Sequence, residues 1–305
     1  LKLALANGKY HDAAVQHPLA MLYYVSETCP DFAKLVRETF DAHPCDVNSP
    51  WSIVYYQDGI DPSDGLSSNH SRKSNIFYWS FLEFGMLALS NEANWFSVGF
   101  GRYSALQLAE GGITQLALKA LMHFFGAEGC ADIERDGVIL KLHGGGTIKV
   151  FAKLGILLAD EPAIKEVLCC KGHSGTKQCA ICANGVAERA GPAQGLHAFS
   201  EYAVSTAVFD ISKFKQHTDE SIRIAVQRLD AMNPTVANTM EPLYGYTRNA
   251  YSLITNARIM LGVVSVLMYD WGHCYLCDGL LDAEFGLFMK HNHASRTSTS
   301  YAELH

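Results

Sequence analysis

No uninterrupted apolar stretch in this 305-residue chain could cross a bilayer; the longest candidate, Ile259 to Tyr269, falls short of the roughly 20 residues that a spanning helix needs. The opening residues do not have the charged, apolar and small-residue succession of a signal peptide. There is no low-complexity segment, and charge is sparse, at 18% of residues with a formal net of −7. That balance argues against a simple basic nucleic-acid-binding module but leaves room for an acidic catalytic core beside a local basic groove. The nine cysteines (Cys29, Cys45, Cys130, Cys169, Cys170, Cys179, Cys182, Cys274 and Cys277) are an odd set without the spacing of a small secreted scaffold. They point to a reducing compartment, where clustered cysteines serve as metal ligands more often than as disulfides. A nuclear or otherwise intracellular protein is expected.

What is present is organised around the stretch from Pro50 to Gly65. Trp51 to Tyr56 is apolar apart from Ser52 and rich in β-branched and aromatic residues, too short for a helix and suited to a strand buried on both faces. The run stops at Asp58, after which Gly59, Asp61, Pro62, Asp64 and Gly65 describe turns. Loops that leave a sheet in this way are where α/β proteins keep their ligand sites. Turn composition alone also yields solvated carboxylates.

Ahead of this strand the first fifty residues read as a helical cap. Ala13 to Val25 is broken by Pro18, and Thr28 offers an N-cap to a second helix bearing Phe32, Leu35, Val36 and Phe40. Beyond it, Ile76–Leu82 and Trp95–Phe100 predict two more strands in an antiparallel meander. A helix carrying Ile113, Leu116, Ala117, Ala120, Leu121 and Phe124 follows. Gly137–Leu142 and Thr147–Phe151 flank His143-Gly144-Gly145-Gly146 as a hairpin; this glycine turn lacks the Gly-Lys-Ser/Thr ending of a phosphate loop. Leu154 to Ala159 is another buried strand stopped by an acid, Asp160, and Glu161-Pro162 opens a helix to Leu168. Asp160 is therefore either a cap for that helix or a metal ligand.

Next comes Cys169-Cys170-Lys171-Gly172-His173, then Cys179-Ala180-Ile181-Cys182. Cys170, His173, Cys179 and Cys182 can supply four ligands to a tetrahedral zinc. A redox pair and buried unligated thiols are the rival readings. Residues 184–258 read as a helical insertion, best seen in Ile222, Ala225, Val226 and Leu229. The chain then reaches Asp270, His273, Cys274 and Cys277; the last two are alternative zinc ligands.

Asp58-Gly59-Ile60-Asp61-Pro62, Asp160-Glu161-Pro162-Ala163 followed by Gly172 and Cys179-x-x-Cys182, and Asp270-x-x-His273 occur in an order that resembles the transposases of CACTA-type DNA elements and their Plavaka relatives. The resemblance spans about Trp51 to Gly279. It implies an RNase H-like fold, a mixed sheet with flanking helices. By position it divides the chain into a cap (1–48), a catalytic core (49–168), a zinc-knuckle-like segment (169–183), and a helical insertion with the C-terminal part (184–305). It implies Asp58 and Asp160 as catalytic metal-binding acids, Asp270 and His273 as a signature pair, and a final glutamate well beyond them, so that the chain is expected to be incomplete at its C-terminus. Implied cofactors are Mg²⁺ or Mn²⁺ at the carboxylates and Zn²⁺ at the cysteine cluster. Implied partners are DNA, both transposon ends and target, and a second copy of the chain. Arg72, Lys73 and Lys171, with Lys149 and Lys153, are candidate phosphate contacts.

The leading expectation is thus a metal-dependent DNA strand-cleaving and strand-transferring enzyme. One rival is a catalytically inactive, domesticated module of the same fold that binds DNA or protein. Another is an unrelated metal hydrolase using His70 beside Asp58.

Overall fold

The computed structural model describes residues 1–60, 73–187, 203–206, 208, 210–270 and, singly, 281, 284, 287, 288 and 290. The chain opens with β1 (Lys2–Ala4), β2 (Tyr10–Asp12) and β3 (Ala14–Val15), then α1 (Pro18–Thr28) and α2 (Pro30–Ala42). The expected helical cap is therefore partly strand. Pro18 begins α1 rather than breaking a helix, because a first-turn proline gives up no intrahelical hydrogen bond. His17 caps α1 by accepting from Ala20 N–H, and Cys29, not Thr28, is the N-cap residue of α2. The Thr28 hydroxyl instead donates back to the Tyr24 carbonyl at the end of α1.

β4 (Trp51–Ile60), β5 (Ser74–Phe81) and β6 (Phe96–Arg102) form the antiparallel meander. The short helices α3 (Gly85–Leu89) and α4 (Tyr103–Leu106) surround β6, and α5 (Ile113–Met122) follows. β7 (Val138–Lys141) and β8 (Thr147–Val150) pair as the expected hairpin, a sheet of their own. β9 (Ala152–Ala159) returns to the main sheet and leads into α6 (Glu161–Leu168). The segment expected to be wholly helical contains β10 (Gly185–Val186) paired in parallel with β11 (Val204–Ser205), then α7 (Asp219–Ala231) and α8 (Pro234–Tyr244). α9 (Val263–Val266) and β12 (Leu267–Tyr269) complete the described elements.

The result is a mixed α/β protein whose main sheet has six strands in the order β12-β9-β4-β5-β6-β3. β5 runs antiparallel to β4 on one side, while β9 and then β12 run parallel to it on the other. The sheet reaches beyond residues 49–168 at both edges, through β3 and β12. Ile53, Tyr55, Phe77, Trp79 and Val98 are fully buried on one face, against Leu116, Ala117, Ala120 and Leu121 of α5. The Tyr55 hydroxyl donates to the Ala117 carbonyl at 3.2 Å, so the ring is buried without stranding its polar end.

β4 outlasts its parallel partner. Its pairing with β9 ends at Gln57 and Ala159, but its pairing with β5 continues through Asp58 and Gly59 to Ile60. Asp58 is thus inside a strand rather than in the turn after one, which fixes its backbone on the β5 side. A bulge lies within the β4–β9 ladder: Ile53 faces Leu154 and Val54 faces Ile156, so Gly155 has no opposite number. A Cβ on Gly155 would fall 2.5 Å from the Ser52 Cβ, so only glycine fits this approach.

Among the described residues no helix is long and apolar enough to cross a membrane.

Candidate functional site

Gln57, Ala159 and Tyr269 lie side by side on β4, β9 and β12. The next residue on each chain is an aspartate: Asp58, Asp160 and Asp270. Parallel strands sit about 4.8 Å apart, which brings the three carboxylates to one edge of the sheet. The Asp270 amide donates to the Ala159 carbonyl at 2.9 Å, continuing the ladder past the strand end. Asp160 Oδ1 accepts from Ala163 N–H at 2.7 Å as the N-cap of α6, so capping accounts for one of its two oxygens.

Tyr56 shows the convergence independently. Its hydroxyl lies 3.5 Å from Asp270 Oδ2, and its phenol is pushed well above the ordinary range by burial first and then by the charges of Asp58, Asp270 and Asp160. Tyr78 is raised in the same sense by burial and Asp58. The two rings stack at 6.0 Å, and Trp95 meets Tyr56 edge-on at 6.1 Å. With Leu158, Glu92 and Asp270 they line a groove of about 750 Å³. Burial also raises the Glu166 carboxyl, with Lys73 opposing the shift and Asp160 adding to it.

Of the expected phosphate contacts, Lys73 stands at this edge: its Nζ is 5.4 Å from the centre of the Tyr103 ring, and its Cε lies close against Gly59. Lys171 is paired within the fold. Its Nζ is 2.6 Å from Oε2 of the buried Glu241. Lys149 Nζ lies over the Phe151 ring. Arg72, His70, His273, Cys274 and Cys277 lie outside the described residues, as does the side chain of His173.

The cysteine segment folds onto residues 215–217. Ala183 N–H donates to the Lys215 carbonyl and His217 N–H to that of Ile181, while Cys182 N–H donates to Cys179 Sγ at 3.2 Å. Burial pushes the Cys170 thiol up, and it pushes that of Cys182 to about 12 together with the hydrogen bond and charge of Cys179. Lys177 is buried beside Cys179 and Cys182; burial lowers its ammonium to about 8 against the pull of the two sulfurs. Its Nζ is 2.7 Å from His217 Nε2, and His217 Nδ1 is 2.8 Å from Ser221 Oγ. Cys169, the neighbour of Cys170, packs elsewhere, against Thr114 Oγ1 and Asn249 Nδ2.

Burial and Lys177 lower the His217 imidazole to about 4 from 6.5. A histidine whose folded value is depressed contributes stability above 6.5 that is lost as pH falls through 4, because the unfolded chain takes up the proton first. The ring is only half-buried, so solvent screening keeps the expected loss well below the roughly 3 kcal/mol that the full shift would give. Denaturant melts at pH 7 and pH 4 will show a smaller acid loss in His217→Gln than in the parent; equal losses would contradict the assignment.

Among the described residues one group of three metal-ligating side chains has all its ligand atoms within 4.8 Å of one another: His17, His123 and Cys130. It could hold an ion such as zinc. Cys170, Cys179 and Cys182 do not close to that spacing, and Lys177 lies beside two of them. Sequence spacing gave no sign of the histidine–cysteine group, whose members are separated by up to 113 residues.

Comparison with protein-family models gives no match, and neither does comparison with curated proteins.

Proposed function

We propose that the chain is the core of a metal-dependent phosphoryl-transfer enzyme acting on DNA, a transposase of the Asp-Asp-Glu type with an RNase H-like sheet. The observation that carries the reading is the alignment of Asp58, Asp160 and Asp270, each one residue past the last parallel pairing of three adjacent strands. The sheet order supports it: a meander of β4, β5 and β6 on one side, two parallel strands on the other, is the arrangement of RNase H-like folds. Asp270, expected only as a signature residue, becomes a candidate for the third ligand.

Carboxylate oxygens are hard donors suited to Mg²⁺ or Mn²⁺. Asp58, Asp270 and the Asp160 oxygen not engaged in capping would hold the ion. Bound there, it would neutralise phosphate charge and polarise the attacking oxygen. The chain's own part is to hold these acids where the parallel pairing of the sheet stops, Asp58 within β4 and Asp160 and Asp270 just past β9 and β12, so that the backbone fixes them. Tyr56, Tyr78 and Trp95 give the adjoining groove aromatic walls on which a base can stack, and Lys73 is a cation at the same edge.

The test is nicking of supercoiled plasmid DNA by the chain with Mg²⁺ or Mn²⁺, beside an Asp58→Asn/Asp160→Asn variant. Nicking is expected from the parent in the presence of the ion and not from the variant. A folded parent without metal-dependent nicking would favour the inactive, binding-only reading.

A further inference from the structure

We propose that His17, His123 and Cys130 form a zinc site with three protein ligands, its fourth position facing the neighbouring cavity. The site is separate from the three aspartates: none of these three residues borders the groove beside Asp270.

Three parts of the fold meet here. His17 precedes α1, His123 follows α5, and Cys130 follows the short turn Ala127–Gly129. His17 Nε2 lies 3.0 Å and His123 Nδ1 lies 3.6 Å from Cys130 Sγ. A tetrahedral zinc with Zn–S of about 2.3 Å and Zn–N of about 2.0 Å sets its sulfur and nitrogen ligands about 3.5 Å apart. The His123 separation matches that, and His17 needs to withdraw by only about half an ångström. The imidazole rings are tilted by 57° with centres 5.3 Å apart, so they approach the sulfur from different directions rather than stacking.

The proton inventory is consistent with exchange for a metal. His17 Nδ1 accepts from Ala20 N–H at 3.3 Å, which puts the ring proton on Nε2, directed at the sulfur. Binding moves that proton to Nδ1 and gives up the Ala20 contact, already at the long end for a hydrogen bond. The Cys130 thiol loses its proton to solvent, so one proton is released per ion bound by this group. One thiolate and two neutral imidazoles leave the bound Zn²⁺ with a net charge of +1.

Both histidines line a cavity of about 570 Å³, with Tyr10, Asp12 and Lys119 among its other walls. A three-ligand zinc that faces open space keeps an exchangeable position for water or a small anion, whereas a four-ligand structural zinc does not. Two imidazoles and one thiolate suit zinc's borderline softness.

Cobalt(II) provides the probe, because its visible spectrum reports thiolate ligation and coordination number. The full chain is titrated with Co²⁺ and then with Zn²⁺. The same is done with a variant carrying Cys179→Ser, Cys182→Ser, Cys274→Ser and Cys277→Ser, which removes both Cys-x-x-Cys pairs. That variant is expected to keep one equivalent showing a sulfur-to-cobalt charge-transfer band, displaced by Zn²⁺. Cys130→Ser and His123→Gln, made in that background, should lose the band or weaken binding at least 100-fold. His17→Asn, which retains a good capping residue for α1, should do the same with the circular dichroism spectrum unchanged; it covers the case in which Cys130→Ser does not fold. Azide should shift the visible bands. Absence of the band in the variant without either Cys-x-x-Cys pair, or its survival in all three ligand variants, would overturn the site, and insensitivity to azide would overturn its open position.

Discussion

Asp270→Asn will lower metal-dependent nicking by at least about 100-fold while leaving the fold in place. The magnitude follows from what a carboxylate does for a divalent ion. Altering a group that only orients a metal ligand typically costs 10–100-fold, and replacing a ligand's own charged oxygen by an amide cannot cost less. The fold should survive because Asp270 is held by its backbone, through the amide bond to the Ala159 carbonyl, and asparagine keeps that bond. Tyr56→Phe is the control. Its hydroxyl reaches Asp270 only at 3.5 Å, too long for a strong bond, so its loss should change nicking by no more than a few-fold. Rates measured in Mg²⁺ for the two variants will separate the roles. Nicking by Asp270→Asn within a few-fold of the parent would remove Asp270 from the metal set and turn attention to Glu166, whose carboxyl is raised by burial and in part by Asp160.

Arg258→Ala will cost about 2–3 kcal/mol of stability, less than the loss of a partner from a fully buried ion pair, because the guanidinium is partly exposed while Asp132 is buried. Arg258 donates from Nε and Nη2 to both oxygens of Asp132, at 2.9 to 3.2 Å, and from Nη1 to Glu134 at 2.8 Å. Its guanidinium lies 4.8 Å from the centre of the Phe125 ring. Asp132, only 7% exposed, also accepts the amides of Glu134 and Arg135. Without Arg258 that carboxylate would keep two amide bonds and the exposed Arg135, 3.9 Å away, to offset its charge. Arg258→Lys should fall between parent and alanine variant, because an ammonium cannot reproduce the forked contact with both acids. Denaturant melts at neutral pH give the comparison, and a loss below about 1 kcal/mol for the alanine variant would show the pair to be no more than a surface contact.

The elements that were legible in the sequence are those whose signal is local. β4, β5 and the β7–β8 hairpin announce themselves by short aromatic or β-branched runs between turns, and α6 by Asp160 and Pro162 at its start. Ile222, Val226 and Leu229 repeat at helical spacing and are the buried residues of α7. β12 was hidden because three residues, Leu267 to Tyr269, inside the apolar stretch from Ile259 carry no period of their own. They become a strand only when β9 is beside them, helped by Asp219 of α7, which accepts the Val264 amide at 2.6 Å. Asp270 could therefore not be read as a strand-end acid. β3 was hidden for the same reason, its two residues depending on β6. The His17, His123 and Cys130 group leaves no local trace, since its three members come from separate connections that only the folded core brings together.

The unopposed Gly155 also settles how β9 can be read as text. Before it, the buried position is Ala152; after it, the buried positions are Leu157 and Ala159, so the inward-facing residues change from even to odd numbers. An alternation counted straight through the strand would assign half of it to the wrong side, and the slip at residue 155 is the written mark of the irregular backbone. It also corrects the count. With unbroken pairing from Ile53 and Leu154, Asp58 would fall opposite Ala159, and Asp160 would point the other way. One skipped residue brings the two acids level. A gain or loss of a residue between Ala152 and Ala159 thus changes the phase of the acids themselves, whereas a similar change before Ala152 leaves their phase intact.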